Sequence, residues 1–321
     1  MKILCGDIGG THCRLAMAAW DGRRVVLERA ATLATAGQPD PYAVLAAFLE
    51  SETEVEACCL AVAGPTDGRV VRFTNLAWHL DTRDLSARFG IPRTSLVNDF
   101  AAVGWGLDCL DPDQSLSLQV GEPRTGAPRL ALGAGTGLGV GLVTWRGDHY
   151  RPLDSEGGHI GFAPVSAEQD RLLDFLRRRL GGRVSVERIL SGPGLVDLYR
   201  FCLADAGLDD TPALAAERPA QAISRAGLED GEPAARRALA LFAAILGQTA
   251  GDLALACRAE GGVYLAGGIA PKLRQALEDG TFLTGFRAKG RFAAWMENLP
   301  VYLVLDPDIG LKGAALAAVR A

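Results

Sequence analysis

The residues best suited to chemistry begin at a glycine-rich turn near the start of the chain, Gly6-Asp7-Ile8-Gly9-Gly10-Thr11, between two apolar runs. Because Gly9 and Gly10 have no Cβ, a bulky anion can approach the backbone N–H groups of this turn. Asp7 could hold a hydrated Mg2+, and the Thr11 hydroxyl could donate to a phosphate oxygen. The stretch predicts a β-hairpin whose turn binds phosphate, although an ordinary tight hairpin with a solvated aspartate has the same local pattern.

The same pattern returns in the second half of the chain. A shift of 125 residues places Gly10-Thr11 on Gly135-Thr136 and Trp20 on Trp145. The second turn, Gly133 to Gly139, has a glycine at every other position and matches neither the dinucleotide-binding nor the P-loop spacing. Two such hairpins predict two related α/β halves, each offering a turn to one shared polyphosphate.

Polar residues that could act on a hydroxyl group lie in three further places. Asp99 follows a predicted strand and stands beside Asn98, so it could accept the proton of a hydroxyl that attacks phosphorus, although a helix N-cap has the same pattern. Glu156 and His159 flank two glycines, an arrangement suited to polyol recognition, with a core histidine as the alternative. Glu187 stands among apolar residues and therefore needs a partner, unless it is a solvated glutamate of a first helical turn.

The elements that must position these residues alternate between strand and helix, which predicts an α/β fold with a largely parallel sheet. Gly267-Gly268 close one of the later strands, where bare backbone could admit a flat ring or a ribose. A polar stretch rich in proline and glycine, 108–126, marks the best domain boundary. We predict a small domain of residues 1–108 plus 301–321, and a large domain of residues 109–300 that carries a helical insertion. The predicted strands are Val25–Leu33, Glu56–Ala63, Thr94–Val97, Val263–Ala266 and Val301–Leu305, and the predicted helices begin at Pro41, Asp81, Ser191, Pro233 and Pro271.

Composition excludes several classes of function. The 321 residues are 49% hydrophobic and 22% charged, and a net charge of −5 gives no basic footprint for nucleic acid. With no run of 18 apolar residues and a strand directly after Met1-Lys2, we expect neither a membrane span nor a signal peptide. The seven scattered cysteines, without a C-x-x-C pair, predict reduced thiols in a cytoplasmic protein and argue against a structural zinc.

Taken together, these motifs resemble those of bacterial glucokinases, in the hexokinase, Hsp70 and actin superfamily. The resemblance covers nearly the whole chain. The segments that carry it are Gly6 to Thr11, Thr74 to Trp78, Asn98 to Phe100, Gly133 to Gly139, Glu156 to His159, Leu190 to Leu195, Ala266 to Ile269 and Lys289 to Phe292. The related repressor and sugar kinase group has a cysteine-rich zinc motif, and it fits poorly because no cysteine lies between Cys109 and Cys202.

The resemblance implies two duplicated RNase H-like α/β domains, the actin-like ATPase fold, with the sugar in a cleft between them. It implies transfer of the γ-phosphoryl group of ATP to the 6-hydroxyl of glucose, with Mg2+ held by Asp7 through water and Asp99 as the base. The residues implied to hold the sugar are Asn75, Asn98, Glu156, His159 and Glu187. Those implied to bind ATP are Gly6, Asp7, Ile8, Gly9, Gly10, Thr11, Gly135, Thr136, Gly137, Gly267 and Gly268.

The same resemblance implies a cytoplasmic homodimer that feeds glycolysis and closes on its sugar. Three alternatives stay open at this point. One is a sugar-responsive regulator, although a first strand at Ile3 leaves no room for a DNA-binding head. Another is a kinase of the same superfamily for a different hexose or an amino sugar, and the third is a polymerising or chaperone ATPase.

Overall fold

The computed structural model describes residues 1–9, 12–50, 52, 54–64, 66–73 and 78–320. The strands within these residues are β1 (Lys2–Ile8), β2 (His12–Trp20), β3 (Val25–Ala34), β4 (Ala57–Val62), β5 (Val70–Arg72), β6 (His79–Asp81), β7 (Arg93–Asn98), β8 (Ser115–Gln119), β9 (Arg129–Ala134), β10 (Leu138–Trp145), β11 (Tyr150–Leu153), β12 (Val263–Ala266) and β13 (Val301–Val304). The α-helices are α1 (Pro41–Leu49), α2 (Thr82–Phe89), α3 (Asp99–Gly106), α4 (Ala167–Leu180), α5 (Gly192–Asp205), α6 (Pro212–Ala215), α7 (Pro219–Leu228), α8 (Pro233–Cys257), α9 (Arg274–Glu278), α10 (Thr281–Arg287), α11 (Ala293–Glu297) and α12 (Ile309–Arg320).

The chain divides into two compact units. The first contains residues 1–114, 141–154 and 306–321, and the second contains residues 115–140 and 155–305. This division differs from the predicted domain boundaries, most of all at residues 141–154. Those residues go with the first unit because Gly104 of α3 packs closely against Pro152 and Val143. β13 goes with the second unit because it pairs with β12 and β8.

The sheet of the first unit has the strand order β3-β2-β1-β4-β7. β1 is antiparallel to β2 and parallel to β4, as the predicted hairpin and parallel sheet require. The prediction that a turn begins at Gly6 is wrong, since Gly6, Asp7 and Ile8 are the last residues of β1. Gly6 pairs on both sides, and a Cβ there would meet Leu15 Cδ2 at 2.6 Å. Its lack of a side chain therefore serves packing within the sheet.

The two faces of this sheet are covered by different layers. One face packs against α1 and α2 through residues such as Leu45 and Leu85, which are fully buried. The other packs against α3 and α12, whose core positions are mostly alanine. A Cβ on Gly313 of α12 would lie 1.8 Å from the carbonyl oxygen of Ala102 in α3. The small residues of α12 therefore allow the two helices to touch backbone to backbone.

The second unit contains the neighbouring strands β9-β12-β13-β8, in that order, and most of the helices. β9, β12 and β13 run parallel to one another. The helix predicted to begin at Pro233 is confirmed as α8. A Cβ on its Gly247 would lie 2.0 Å from the carbonyl oxygen of Phe282 in α10. Among the described residues, α8 is the helix long and apolar enough to cross a membrane, but 72% of its apolar window is buried, as in a core helix.

Helix starts are the features of local sequence that the structure matches best. The side chain of Asp40 caps α1 ahead of Pro41, and Asp81 caps α2, which Gly90 ends in the left-handed conformation. Ser191 caps α5 by accepting the N–H of Gly194 at 3.1 Å. The seven cysteines, all among the described residues, are free thiols.

Candidate active site

One edge of the first sheet brings the first glycine turn and Asp99 together. In the parallel register, Ile8 at the end of β1 is level with Val62 of β4, and Val62 is level with Asn98 of β7. Neighbouring strands lie about 4.8 Å apart, so the ends of β1 and β7 are separated by roughly 10 Å. The residues that follow these strands, Gly9 and Asp99, therefore leave the sheet at the same edge.

Asn98 caps helix α3. Its Oδ1 accepts the N–H groups of Phe100 at 2.9 Å and Ala101 at 3.3 Å, and the side chain is buried. The predicted helix N-cap is therefore present, at Asn98, and Asp99 is the first helical residue, where the helix dipole favours a carboxylate. Because the Asn98 oxygen is engaged, the amide can offer a sugar only its NH2 group, which makes a long 3.5 Å contact to the Gly64 carbonyl.

Asp7 is a partly buried carboxylate next to the first glycine turn. Burial raises its pKa, and the charge of Arg14 opposes that rise from the facing position on β2. Arg14 itself forms an ion pair with Asp308. Its guanidinium also donates to the Pro307 carbonyl oxygen at 2.8 Å. A cation close to Asp7 would restore the charged carboxylate, so this environment fits the predicted metal role.

We expect the Asp7→Asn variant to gain stability over the parent protein as the pH rises. A raised pKa means that the folded chain binds the Asp7 proton more readily than the unfolded chain, so this stabilisation is complete below the ordinary value of 3.8. It is lost as the pH rises through the raised pKa, by about 1.4 kcal/mol for each pH unit that separates the folded and unfolded pKa values. Urea unfolding between pH 3 and pH 7 measures the difference between variant and parent.

Asp21→Asn is the control of opposite sign. The backbone N–H groups of Arg24 and Arg23 donate to the Asp21 carboxylate at 2.7 Å and lower its pKa. The stabilisation that the Asp21 carboxylate contributes is present above pH 3.8 and is lost as the pH falls. The Asp21→Asn variant should therefore lose stability relative to the parent protein as the pH rises. If both variants follow the same slope, the burial of Asp7 does not control its titration.

The second glycine turn lies directly against Glu187. The Glu187 Oε2 atom accepts the N–H of Leu138 at 3.1 Å, at the point where the turn passes into β10. A Cβ on Gly137 would lie 2.5 Å from the same oxygen, so only glycine fits there without moving the carboxylate. Glu187 is in the short 3-10 helix Val186–Arg188, and its partner is the turn, which rules out a simply solvated glutamate.

Glu187 also belongs to the predicted sugar cluster. His159 Nδ1 lies 3.9 Å from Glu187 Oε1, and His159 Nε2 lies 3.8 Å from Glu156 Oε2. The side chains of Glu156 and His159 are 59% and 57% exposed, whereas that of Glu187 is 28% exposed. The exposed histidine is not a core residue. The three side chains present two carboxylates and an imidazole to solvent, which are complementary partners for adjacent hydroxyl groups.

Gly267 and Gly268 lie at the end of β12, beside the start of the same turn. Gly267 has a positive φ of 82°, and a Cβ there would meet the Ala134 carbonyl oxygen at 2.9 Å. A Cβ on Gly268 would meet nothing within 4 Å, so bare backbone faces open space. The place predicted for a ring or a ribose is thus bare backbone, and its role stays a prediction. Gly135 and Thr136 lie in the turn itself, and Thr136 is exposed.

Two supporting glycines were not predicted. The N–H of Gly192, the first residue of α5, donates to the Gly135 carbonyl at 2.8 Å and fixes the turn to that helix. A Cβ on Gly158 would lie 2.0 Å from the Leu138 carbonyl oxygen, so Gly158 lets the sugar cluster approach the turn. Both glycines stand in motifs visible in the sequence, but their contacts join residues distant along the chain.

Three predicted site residues, Gly10, Thr11 and Asn75, lie outside the described residues. Within the described part of the chain, no group of three or more histidine, cysteine, aspartate or glutamate side chains could hold a metal ion. A magnesium ion at Asp7 would thus take most of its ligands from water and phosphate, as magnesium sites with one carboxylate do.

Comparison with known proteins identifies what the chain resembles. The family model described as Glucokinase matches residues 4–321. A glucokinase of Nostoc punctiforme is 38% identical over 339 residues, with 99% of each chain covered. The crystal structure of a glucokinase from an Antarctic psychrotroph has a TM-score of 0.88 and 32% identity, covering 100% of this chain and 99% of that one. A glucokinase from Balamuthia mandrillaris, solved in complex with glucose, has a TM-score of 0.82 and 26% identity, covering 100% of this chain and 94% of that one.

Proposed function

Because the chain belongs to the glucokinase family of sugar kinases, we propose that it transfers the γ-phosphoryl group of ATP to the 6-hydroxyl of D-glucose. The α/β units belong to the actin-like ATPase fold of such kinases. The observation that carries the reaction is the register of β1, β4 and β7, which brings Asp99 and the first glycine turn to one edge of the sheet.

In the proposed reaction, Asp99 accepts the proton of the sugar 6-hydroxyl as its oxygen attacks the γ-phosphorus. The attacking oxygen forms a bond to phosphorus, the bond to the β,γ-bridging oxygen breaks, and ADP leaves. The Asn98 NH2 group donates to the sugar, because its amide oxygen is committed to the cap of α3. Proximity and orientation supply most of the rate, since phosphoryl transfer asks little covalent chemistry of the protein.

The proposed role of the second unit is to hold the substrates. Glu156, His159 and Glu187 would pair with sugar hydroxyls, and each hydroxyl left unpaired in a closed site costs roughly 1–3 kcal/mol. The turn containing Gly135, Thr136 and Gly137 would lie against the phosphates. The Gly135 N–H already donates to the Gly137 carbonyl at 2.8 Å, so phosphate oxygens would take the N–H groups of the other turn residues. The adenosine would lie against Gly267 and Gly268, where the backbone is bare.

Mg2+ fits this proposal as a partner of the nucleotide. Bound to phosphate oxygens, it would neutralise charge that develops during transfer. Asp7 would hold it through water, and the burial that raises the Asp7 pKa favours a cation beside it. The proposed contribution of the described residues at this place is the Asp7 carboxylate.

A coupled assay over a panel of sugars tests the reaction. With ATP and Mg2+ we expect phosphorylation of glucose, and we expect none when either the sugar or the Mg2+ is left out. The activity with mannose and glucosamine, compared with that for glucose, shows which hydroxyl positions of the sugar the site recognises. ATP consumption that is equally fast without sugar would indicate an ATPase, and glucose binding without product would indicate a regulator.

We also propose a cytoplasmic homodimer whose product enters glycolysis. Sedimentation of the purified protein gives its mass in solution, against 33.8 kDa for one chain.

A further inference from the structure

The Glu187 carboxylate stands between the residues proposed for the sugar and the turn proposed for phosphate. One oxygen, Oε1, lies 3.9 Å from His159 Nδ1 on the sugar side. The other, Oε2, accepts the Leu138 N–H at 3.1 Å on the side of the turn. The same carboxylate therefore accepts a hydrogen bond from the turn and lies within 4 Å of the sugar cluster.

Hydrogen bonds hold the backbone on both sides of Glu187. Ser185 forms an isolated bridge with Gly161, and the N–H of Val186 donates to the Ile160 carbonyl at 3.0 Å. At the other end of the segment, the Gly192 N–H holds the Gly135 carbonyl at 2.8 Å. In contrast to this backbone, the Glu187 side chain can exchange one hydrogen-bond partner for another by rotation.

The contact with Leu138 opposes nucleotide binding in two ways. It occupies the Leu138 N–H group at the glycine turn, and that group is then not available to a phosphate oxygen. It also places a negative charge against Gly137, beside the position proposed for the triphosphate. Like charges close together repel, and the repulsion grows as water is excluded. A sugar whose hydroxyls donate to Glu187 would draw the carboxylate off the Leu138 N–H and away from Gly137.

We propose that Glu187 is a positioning residue that couples the two substrates. Without sugar its carboxylate holds the Leu138 N–H and weakens nucleotide binding, and with sugar it turns to the hydroxyl groups and releases that N–H. This rests on the proposed function, since it assumes that glucose binds at Glu156, His159 and Glu187. The consequence is that futile ATP hydrolysis is suppressed until the sugar has arrived.

Binding of the non-hydrolysable analogue AMPPNP with Mg2+, measured calorimetrically with and without glucose, tests the coupling. In the parent protein we expect glucose to tighten AMPPNP binding by about 5-fold or more, the lower end of ordinary coupling. Glu187→Gln keeps an acceptor for the Leu138 N–H but removes the charge. We expect this variant to bind AMPPNP several-fold tighter than the parent without glucose, and to lose most of the glucose-dependent gain.

Glu156→Gln is the matched control. It also removes a carboxylate that faces His159, at 3.8 Å, but its contact is not with the turn. It should weaken glucose binding while leaving AMPPNP affinity in the absence of sugar as in the parent. If Glu187→Gln and Glu156→Gln behave alike toward AMPPNP without glucose, or if Glu187→Gln keeps the full glucose-dependent gain, the coupling role is wrong.

A readout on the parent protein keeps the test independent of how the variants fold. The amide resonance of Leu138 should shift when glucose is added in the absence of nucleotide, because its acceptor leaves. An unmoved resonance at saturating glucose would count against the switch. Failure of the proposed function looks different, since the parent protein would then show no glucose phosphorylation in the coupled assay.

Discussion

Replacing Asp99 with alanine is expected to lower kcat for glucose phosphorylation by roughly a hundredfold to ten-thousandfold, the usual contribution of a general base. The carboxylate stands at the N-terminus of α3, on the sheet edge that also carries the first glycine turn. Glucose affinity should change far less than kcat, because Asn98 keeps its place as the cap of the helix. Steady-state kinetics together with calorimetric glucose titration separate the two effects.

Asp84→Ala is the matched control for this variant. Asp84 is likewise an aspartate in the first turn of an eight-residue helix of the same unit, α2, but it is exposed on a helix without a proposed role in the reaction. It should keep the kcat of the parent protein. A kcat for Asp99→Ala within a few fold of that control would remove Asp99 from the role of base.

The second large effect concerns the contact between α3 and α12. Gly313→Ala is expected to destabilise the first unit by about 1–3 kcal/mol or more, in the range found for overpacked cores. The added Cβ would lie 1.8 Å from the Ala102 carbonyl oxygen and 2.6 Å from the Gly106 nitrogen. Both are backbone atoms, so no flexible side chain can yield, and one helix must move. Thermal unfolding measures the loss of stability, and a separate assay of kcat at 25 °C shows whether the folded variant stays active.

Gly310→Ala, in the same helix, provides the comparison. A Cβ there would meet nothing within 4 Å, and alanine is favoured over glycine in a helix by about 1 kcal/mol. The two substitutions are chemically identical and differ only in what the methyl group meets. We expect Gly310→Ala to raise the melting temperature and Gly313→Ala to lower it. Equal melting temperatures would show that the helices separate without cost.

The site was predictable where local chemistry determines it. A strand followed by Asn98-Asp99 predicted a helix start at a sheet edge, and the structure has it, with Asn98 as the cap and Asp99 as the first helical residue. The contact between Glu187 and Leu138 was not predictable, because it joins residues 49 positions apart through a side-chain rotamer. The sequence indicated only that a glutamate among apolar residues needs a partner.

The fold shows the same limit. α8 was predictable from Pro233 to Cys257, because helical periodicity and an N-terminal proline are local signals. The turn at Gly6 was placed wrongly, because glycine and aspartate favour turns locally while pairing with β2 and β4 holds them in a strand. β8 was hidden within a stretch rich in proline and glycine that predicted a boundary, and its pairing with β13 is a contact across most of the second unit.

The first unit combines layers from segments that are far apart in the sequence. Arg14 contacts Asp308, which lies 294 positions further along the chain. Helix α12 covers one face of the sheet that contains β1. During synthesis on the ribosome, the early strands must therefore wait until the whole intervening unit has emerged before their alanine-rich face is covered. Closing so long a loop is slow, and the helix that bears the proposed base gains its last support only at that final step.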